Sequence, residues 1–305
     1  MARSITLAEA RTDAVPATRL SVYLMLALGI VCISLSAIFT KQAGVPGTVS
    51  AFYRIAIAEV ALTLPFARAM ARGRVVRDRR VWLLALGAGV FFALDLGLWN
   101  TSLLLTSAAN ATLLGNDAPI VVGLGALILF RERLVGLYWV GLAVALAGMG
   151  IIVGKDLLVH SQLGGGDLLA MSAGIAYAGY LLATQKIRAK MDTLSSLFIP
   201  SMAGMIILLG FNLAQHRSLW GFSAHTYLVL LALGLISQLV GWLAINFALG
   251  HLKASTVSAT LLSQPVLTAL FAVPMLGEQV TGNQILGGAV ALAGIFLVNR
   301  SAARG

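Results

Sequence analysis

The chain has little of what a soluble enzyme needs. Only 10% of its 305 residues are charged, where a soluble domain carries roughly a quarter, so its surface cannot be solvated in the usual way. The single cysteine, Cys32, excludes an internal disulfide and any metal site built on cysteine pairs. The four histidines, His160, His216, His225 and His251, lie far apart in sequence, and the patterns HExxH, GxSxG, GxGxxG and the P-loop are all missing. With no assembled nucleophile, metal centre or phosphate cradle, the chain is expected to be no enzyme and to hold no cofactor and no metal. Residues 1–19 offer no apolar core followed by a small-residue cleavage site, so no cleavable signal peptide is expected.

Hydrophobic residues, by contrast, make up 59% of the chain, and 32 glycines accompany them. They fall into runs of the length needed to cross about 30 Å of hydrocarbon at about 1.5 Å per helical residue. Ten spans are predicted, at 20–40, 47–67, 81–104, 107–130, 134–154, 165–185, 194–214, 225–249, 254–275 and 281–299. The expected fold is an all-α membrane protein of ten transmembrane helices, with the lipid bilayer as its first partner.

A formal net charge of +10 would suggest nucleic acid in a soluble protein, but here the charge is sorted by side. Taking connections alternately, 17 Lys and Arg residues fall on the side of the N-terminus and three, Lys41, Lys155 and Arg217, on the other. The positive-inside rule makes the crowded side cytoplasmic and places both termini there. The charge is accounted for by insertion, and no nucleic-acid partner is expected.

The sequence also repeats itself. Residues 100–152 align without a gap on 246–298, and 15 of these 53 positions are identical, including Asn100 with Asn246, Pro119 with Pro265, Glu132 with Glu278 and the hexapeptide AVALAG. The chain divides into a tail at 1–19, a five-span repeat at 20–154 and a second at 165–300. Five is odd, so the second repeat must enter the membrane from the opposite side. Equivalent loops agree: Arg131 and Arg133 flank Glu132, whereas Gly277 and Gln279 flank Glu278. Inverted five-helix repeats are the mark of carriers that alternate access to a central site.

Two halves of five spans, each with a proline in its fourth span, a glutamate after it and a fifth span rich in glycine and alanine, resemble the EamA branch of the drug/metabolite transporter superfamily. The residues that carry the resemblance are Pro119, Glu132, Gly136 and Gly141 through Gly148, then Pro265, Glu278, Gly282 and Gly287 through Gly294, with Arg54 in the second span. Among its members the chain looks most like the aromatic amino acid exporter type, often called YddG-like. The resemblance implies a bacterial inner (plasma) membrane protein that exports amino acids, aromatic or other neutral ones, and related small metabolites. A multidrug or other-metabolite exporter and an uncoupled facilitator or channel stay open as alternatives.

Four ionisable residues fall within the bilayer: Arg54, Glu59, Asp95 and Asp117. Each costs about 2.5–3.5 kcal/mol to insert, so each needs a partner or a water-filled cavity. Arg54 is expected to pair with Glu59 or Asp95, and one arginine cannot neutralise three acids, so Asp95 or Asp117 could carry a proton in exchange for substrate. Helical spacing puts Trp99 one turn from Asp95, and strings Gln238, Trp242 and Asn246, and separately Tyr177 and Tyr180, along single faces. Asn110 stands seven residues before Asp117. Asp95, Trp99, Asp117, Tyr177, Tyr180, Gln238 and Trp242 are the candidate substrate-binding residues. Trp82, Tyr138, Trp139, Trp220 and Tyr227 lie near span ends, where aromatic side chains favour the membrane interface. Pro119 and Pro265 fall mid-span, where each removes the bond to the carbonyl four residues earlier, at Gly115 and Leu261, and makes a candidate hinge or a static kink. Small residues at packing intervals in spans five and ten could join the halves or build a homodimer, so monomer and homodimer stay open.

Overall fold

The computed structural model of the protein describes residues 18–105, 114–153, 164–277 and 281–302. These residues are helical with short connections and include no strand. Helices α1 (Arg19–Ala43), α2 (Gly47–Ala71), α3 (Arg79–Leu105), α4 (Ala118–Leu129) and α5 (Gly136–Val153) come from the first half. The second half supplies α6 (Gly165–Arg188), α7 (Thr193–Ala214), α8 (Ala224–Leu249), α9 (Ala254–Leu261), α10 (Gln264–Leu276) and α11 (Gly282–Ala302). Among the described residues eight helical stretches are long and apolar enough to cross a membrane, with α9 and α10 counted together, while α4 and α5 are shorter apolar helices. The predicted span at 107–130 is described only in part. Asn110, His160 and Glu278 lie outside the described residues.

The outer surface is apolar: Val60 is 78% exposed and Ile128 76%. Large aliphatic side chains outermost suit a lipid environment and would be an aggregation liability in water. Helix ends are closed locally, as they must be where the chain leaves a bilayer. The Thr18 hydroxyl accepts from the Ser21 N–H at 3.2 Å, the Asp192 carboxylate from Ser195 N–H at 3.0 Å, and the Ser223 hydroxyl from Thr226 N–H at 3.1 Å. At the far ends, Gly44 (φ 63°) and Gly277 (φ 69°) close α1 and α10 in the left-handed conformation that glycine adopts without strain.

Equivalent helices of the two halves meet each other. A methyl on Gly141 would lie 2.8 Å from the Gly294 carbonyl oxygen, and one on Gly148 would lie 2.6 Å from that of Gly287. Because Gly141 corresponds to Gly287 and Gly148 to Gly294, this is one contact made twice about a local two-fold axis. It pairs the start of α5 with the end of α11, so the two helices run antiparallel. Glycine is needed because only its absent side chain lets the backbones approach this closely. Helices α2 and α7 are likewise equivalent and cross in opposite directions. At one end Thr48 donates to Asn212 Oδ1 (2.8 Å) while Asn212 Nδ2 donates to the Thr48 carbonyl (3.0 Å), and at the other Phe66 stacks on Phe198 at 4.1 Å. In lipid such interhelical hydrogen bonds contribute about 0.6 kcal/mol each, and tight packing supplies the rest.

Two features depart from regular α-helix. Span four is broken at Asn116 and Asp117, and the counterpart in the second half is broken at Leu262 and Ser263. The Asp117 N–H turns back to the Leu114 carbonyl at 3.3 Å and that of Ser263 to Thr260 at 3.0 Å, three-residue bonds that end one helix before the next begins. Pro119 and Pro265 therefore do not sit as kinks inside a helix, as the sequence had suggested. Each stands in the first turn of a new helix, α4 or α10, where the missing N–H has no intrahelical acceptor to lose. The second departure is a π-helical stretch, Leu233–Gly241, in the middle of α8. Such windings occur frequently at functional sites. The equivalent stretch of α3, residues 87–95, is ordinary α-helix.

Candidate functional site

A cavity of about 160 Å³ lies between α1, α2, α3, α6, α8 and the breaks before α4 and α10. It has room for on the order of ten water-sized atoms, the scale of one small metabolite. Five of the sequence candidates line it: Arg54, Asp95, Trp99, Tyr177 and Trp242, and Pro265 reaches its edge.

Arg54 does not make the ion pair expected of it. Its Nε donates to Gln238 Oε1 at 3.0 Å and its Nη1 to the Ser36 hydroxyl at 3.1 Å. An ion pair does form on the exterior, between Lys190 and Asp78 at 3.5 Å. Glu59 stands on another face of α2, because five residues turn a helix by about 140° beyond one full revolution. It is 2% exposed, both of its carboxyl oxygens lack a hydrogen-bond partner, and it does not line the cavity. Asp95 does line the cavity, close enough to Arg54 for each to feel the other's charge, yet it forms no ion pair or hydrogen bond with a described residue. Opposite charges thus share one small space without touching. That arrangement is costly unless a third group satisfies both.

The aromatic wall is built from three helices. Phe92 (α3) stacks on Tyr180 (α6) at 4.7 Å, and Trp242 (α8) meets Phe92 edge-on at 5.3 Å and Tyr180 at 5.2 Å. Tyr177 meets Trp242 edge-on at 6.1 Å. Such contacts hold ring orientations by about 0.5–1.5 kcal/mol each beyond burial. Tyr180 is fully buried behind this wall, so it supports the site rather than lining it, and its hydroxyl accepts from Asn246 Nδ2 at 3.4 Å. Gln238 likewise acts through Arg54. Asp117 is beside the cavity, its Oδ1 without a partner and lodged against Gly174 of α6 so closely that a methyl there would overlap it. Pro119 is outside the cavity; its carbonyl accepts from the buried Tyr138 hydroxyl at 3.4 Å, so Tyr138 packs within the bundle instead of marking an interface.

Sequence reading missed Ser36, Phe92, Asn116 and Gln264, which also line the cavity. Phe92 lies three residues before Asp95, and Asn116 and Gln264 adjoin a named Asp and a named Pro. Helical spacing was a usable signal for the first and simple adjacency for the others. Ser36 carried none.

A second polar cluster lies where the α4–α5 link, α6 and α9 converge. Ser255 donates to Glu132 Oε2 at 2.9 Å, Gln185 Nε2 donates to Glu132 Oε1 at 3.2 Å, and the Ala254 N–H donates back to Gln185 Oε1. The repeated glutamate thus fastens the first half to the start of α9 in the second.

A helical bundle with an apolar exterior and a metabolite-sized polar and aromatic cavity among its helices has the architecture of a small-molecule transporter. The chain belongs to the EamA-like transporter family, whose model matches it twice, over residues 20–154 and 164–300. It is 25% identical over 193 residues to a "Probable terminal-alkyne amino-acid exporter" of Streptantibioticus cattleyicolor, a match covering 63% of this chain and 64% of that one. It is 26% identical over 221 residues to the "Uncharacterized transporter YwfM" of Bacillus subtilis, over 72% and 73% of the two chains. A "Probable amino-acid metabolite efflux pump" of Salmonella typhimurium is 26% identical over 190 residues, 59% of this chain and 63% of that one. A solved crystal structure superposes with a TM-score of 0.78 at 21% identity, covering 94% of this chain and 99% of the other, which establishes a shared fold.

Proposed function

We propose that the protein exports amino acids, aromatic or other neutral ones, across the bacterial inner membrane by alternating access. On this reading it has ten spans in two inverted five-helix repeats, with both termini in the cytoplasm. The observation that carries the reading is the cavity itself, where Arg54 and Asp95 stand among Phe92, Trp99, Tyr177 and Trp242, matching a substrate with charged and apolar parts. The antiparallel pairing of α5 with α11 about a local two-fold axis supports inversion, and the names of two relatives favour amino acids. The Glu132 cluster joins the halves at the cytoplasmic end and is a seal for the outward-open state. The breaks before Pro119 and Pro265 are the hinges, because the spans are already interrupted there. Asp95 and Asp117 are the groups available to carry a proton.

The test is counterflow of a labelled amino acid panel in proteoliposomes, with competition by Phe, Trp, Met, Thr and a quaternary ammonium. Saturable counterflow of one or more amino acids is the expected result. Failure of every amino acid alongside counterflow of the quaternary ammonium would replace this reading with drug export, and rates near those of ion channels would remove the carrier mechanism.

A further inference from the structure

The cavity is polarised in a way that neither its family nor its composition dictates. Arg54 is held by Ser36 and Gln238 through Nη1 and Nε, which leaves the N–H groups of Nη2 without an acceptor among the described residues. Two further N–H donors, both on α8, have no partner: Gln238 Nε2, on a side chain 0% exposed and outside the cavity lining, and Trp242 Nε1, on a cavity-lining side chain 4% exposed; both atoms are sealed from solvent. A buried N–H without an acceptor is destabilising by about 1–3 kcal/mol, and one of the two belongs to the amide whose Oε1 holds the guanidinium. The guanidinium lines the cavity with free N–H groups that select an acceptor, and a planar carboxylate matches its geometry best. Asp95 lines the same space, an acceptor-only side chain when ionised, with no donor from any described residue. The aromatic faces of Trp99 and Tyr177 line the cavity with it and favour a cation there.

The winding of α8 provides an independent observation. The π-helical stretch Leu233–Gly241 contains Gln238 and ends immediately before Trp242, the two residues whose donors are unpaired. Ser237 in the same stretch is tied to the Cys32 carbonyl at 2.8 Å, which fixes the irregular turn against α1. The corresponding stretch of α3 is regular and ends at Asp95, the acidic end of the site. One half of the pseudo-symmetric pair presents donors and the other presents the carboxylate.

Resting on the transport reading above, we infer that Arg54, positioned by Gln238 and Ser36, holds the carboxylate of the substrate while Asp95 holds its ammonium group, so that the site requires both charges on one molecule. Gln238 is then a positioning residue for that arginine, and Trp242 lines the same cavity. A free α-amino acid satisfies both ends. Its amide and its decarboxylated amine lack the anion, and its deaminated acid lacks the cation. Cationic drugs fall into the same class as the amines and are poor substrates.

The experiment uses the wild-type protein in proteoliposomes and needs no variant to be interpretable. The amino acid giving the strongest counterflow is competed with its own amide, its decarboxylated amine and its deaminated acid. Each singly charged analogue is expected to compete at least tenfold more weakly than the parent amino acid. Equal competition by the amine or by the deaminated acid would overturn the bipolar site while leaving transport intact. Absence of counterflow with any amino acid is a different failure, which removes the transport reading and the bipolar site with it. Variants then assign the ends: Arg54→Gln is expected to abolish the advantage of the amino acid over its amide, and Asp95→Asn its advantage over the deaminated acid. In Gln238→Leu the discrimination against the amide should shrink. Undiminished discrimination in both Arg54→Gln and Asp95→Asn would also refute the assignment.

Discussion

The break before α4 and the break before α10 have the same backbone and different chemistry. Each carries a three-residue bond, each restarts with a proline in the first turn, and the side chain of the residue ahead makes no capping bond to the new helix. Yet one break offers Asn116 and Asp117 and the other Leu262 and Ser263. The same holds elsewhere: Arg54 corresponds to Pro200, Glu59 to Met205 and Asp95 to Gly241. What the halves share is backbone geometry, the glycine ladder of α5 and α11 and the prolines. What they do not share is charge. Duplication built the frame, and divergence placed the chemistry on one side of it.

The largest effects should therefore follow from changes in the unshared set. Arg54→Gln and Asp95→Asn should each lower amino acid counterflow by on the order of a hundredfold, since truncating one member of a buried charged site costs about 2–5 kcal/mol. Ser263→Ala, at the position equivalent to Asp117, should change it less than threefold. If Ser263→Ala proved as damaging as Arg54→Gln, the division between frame and site would be wrong. Proton coupling is judged with Asp95→Asn and Asp117→Asn, by whether a pH gradient still drives transport; unchanged coupling in both removes protons from the mechanism.

The shared frame should answer to stability measurements instead. Gly141→Ala or Gly148→Ala puts a methyl against backbone of α11 and should destabilise by about 1–3 kcal/mol, seen as a lower melting temperature in detergent. Gly150→Ala, on the same helix with nothing within 4 Å of the added methyl, should not lower it. Equal losses at all three positions would dissolve the glycine ladder into a general helix effect.

Glu132→Ala should have a smaller effect on melting, about 1 kcal/mol, because it removes the acceptor of Ser255 and Gln185. Its stronger effect should be on the balance between inward- and outward-open states, with faster labelling from the cytoplasmic face. Smallest of all is the exterior pair of Asp78 and Lys190. The Arg80 N–H, and then Lys190, hold the Asp78 carboxyl below its ordinary range. Its stabilising contribution is therefore present above about pH 4 and is lost only as pH falls through the lowered value. The small difference in melting between Lys190→Ala and the wild type should therefore be the same at pH 8 and at pH 6.

Much of this was legible in the sequence because hydropathy, the 146-residue offset and loop charge all reflect the bilayer, which acts on every span alike. Five of the cavity's key side chains could be named from polarity and helical spacing for the same reason. The errors had local causes. Arg54 and Glu59 looked like a pair because both are charged and close in sequence, but the helix turns them onto different faces. The prolines looked like mid-helix kinks because nothing in the sequence marks where Asn116 and Leu262 let the span break. The π-helical winding of α8 leaves no hydropathy signature, so Gln238 could be placed on the right face but not recognised as the partner of Arg54.

Alternating access is tested most directly by labelling one cavity position from both sides of the membrane. Ala37 lines the cavity and is exposed to it, so Ala37→Cys in a Cys32→Ala background offers a single reactive thiol. In oriented membrane vesicles an impermeant thiol reagent should reach it from the cytoplasmic face and, separately, from the outer face, with the transported amino acid slowing both reactions. Labelling from one face only, whatever the substrate concentration, would contradict a cavity that opens alternately to the two sides.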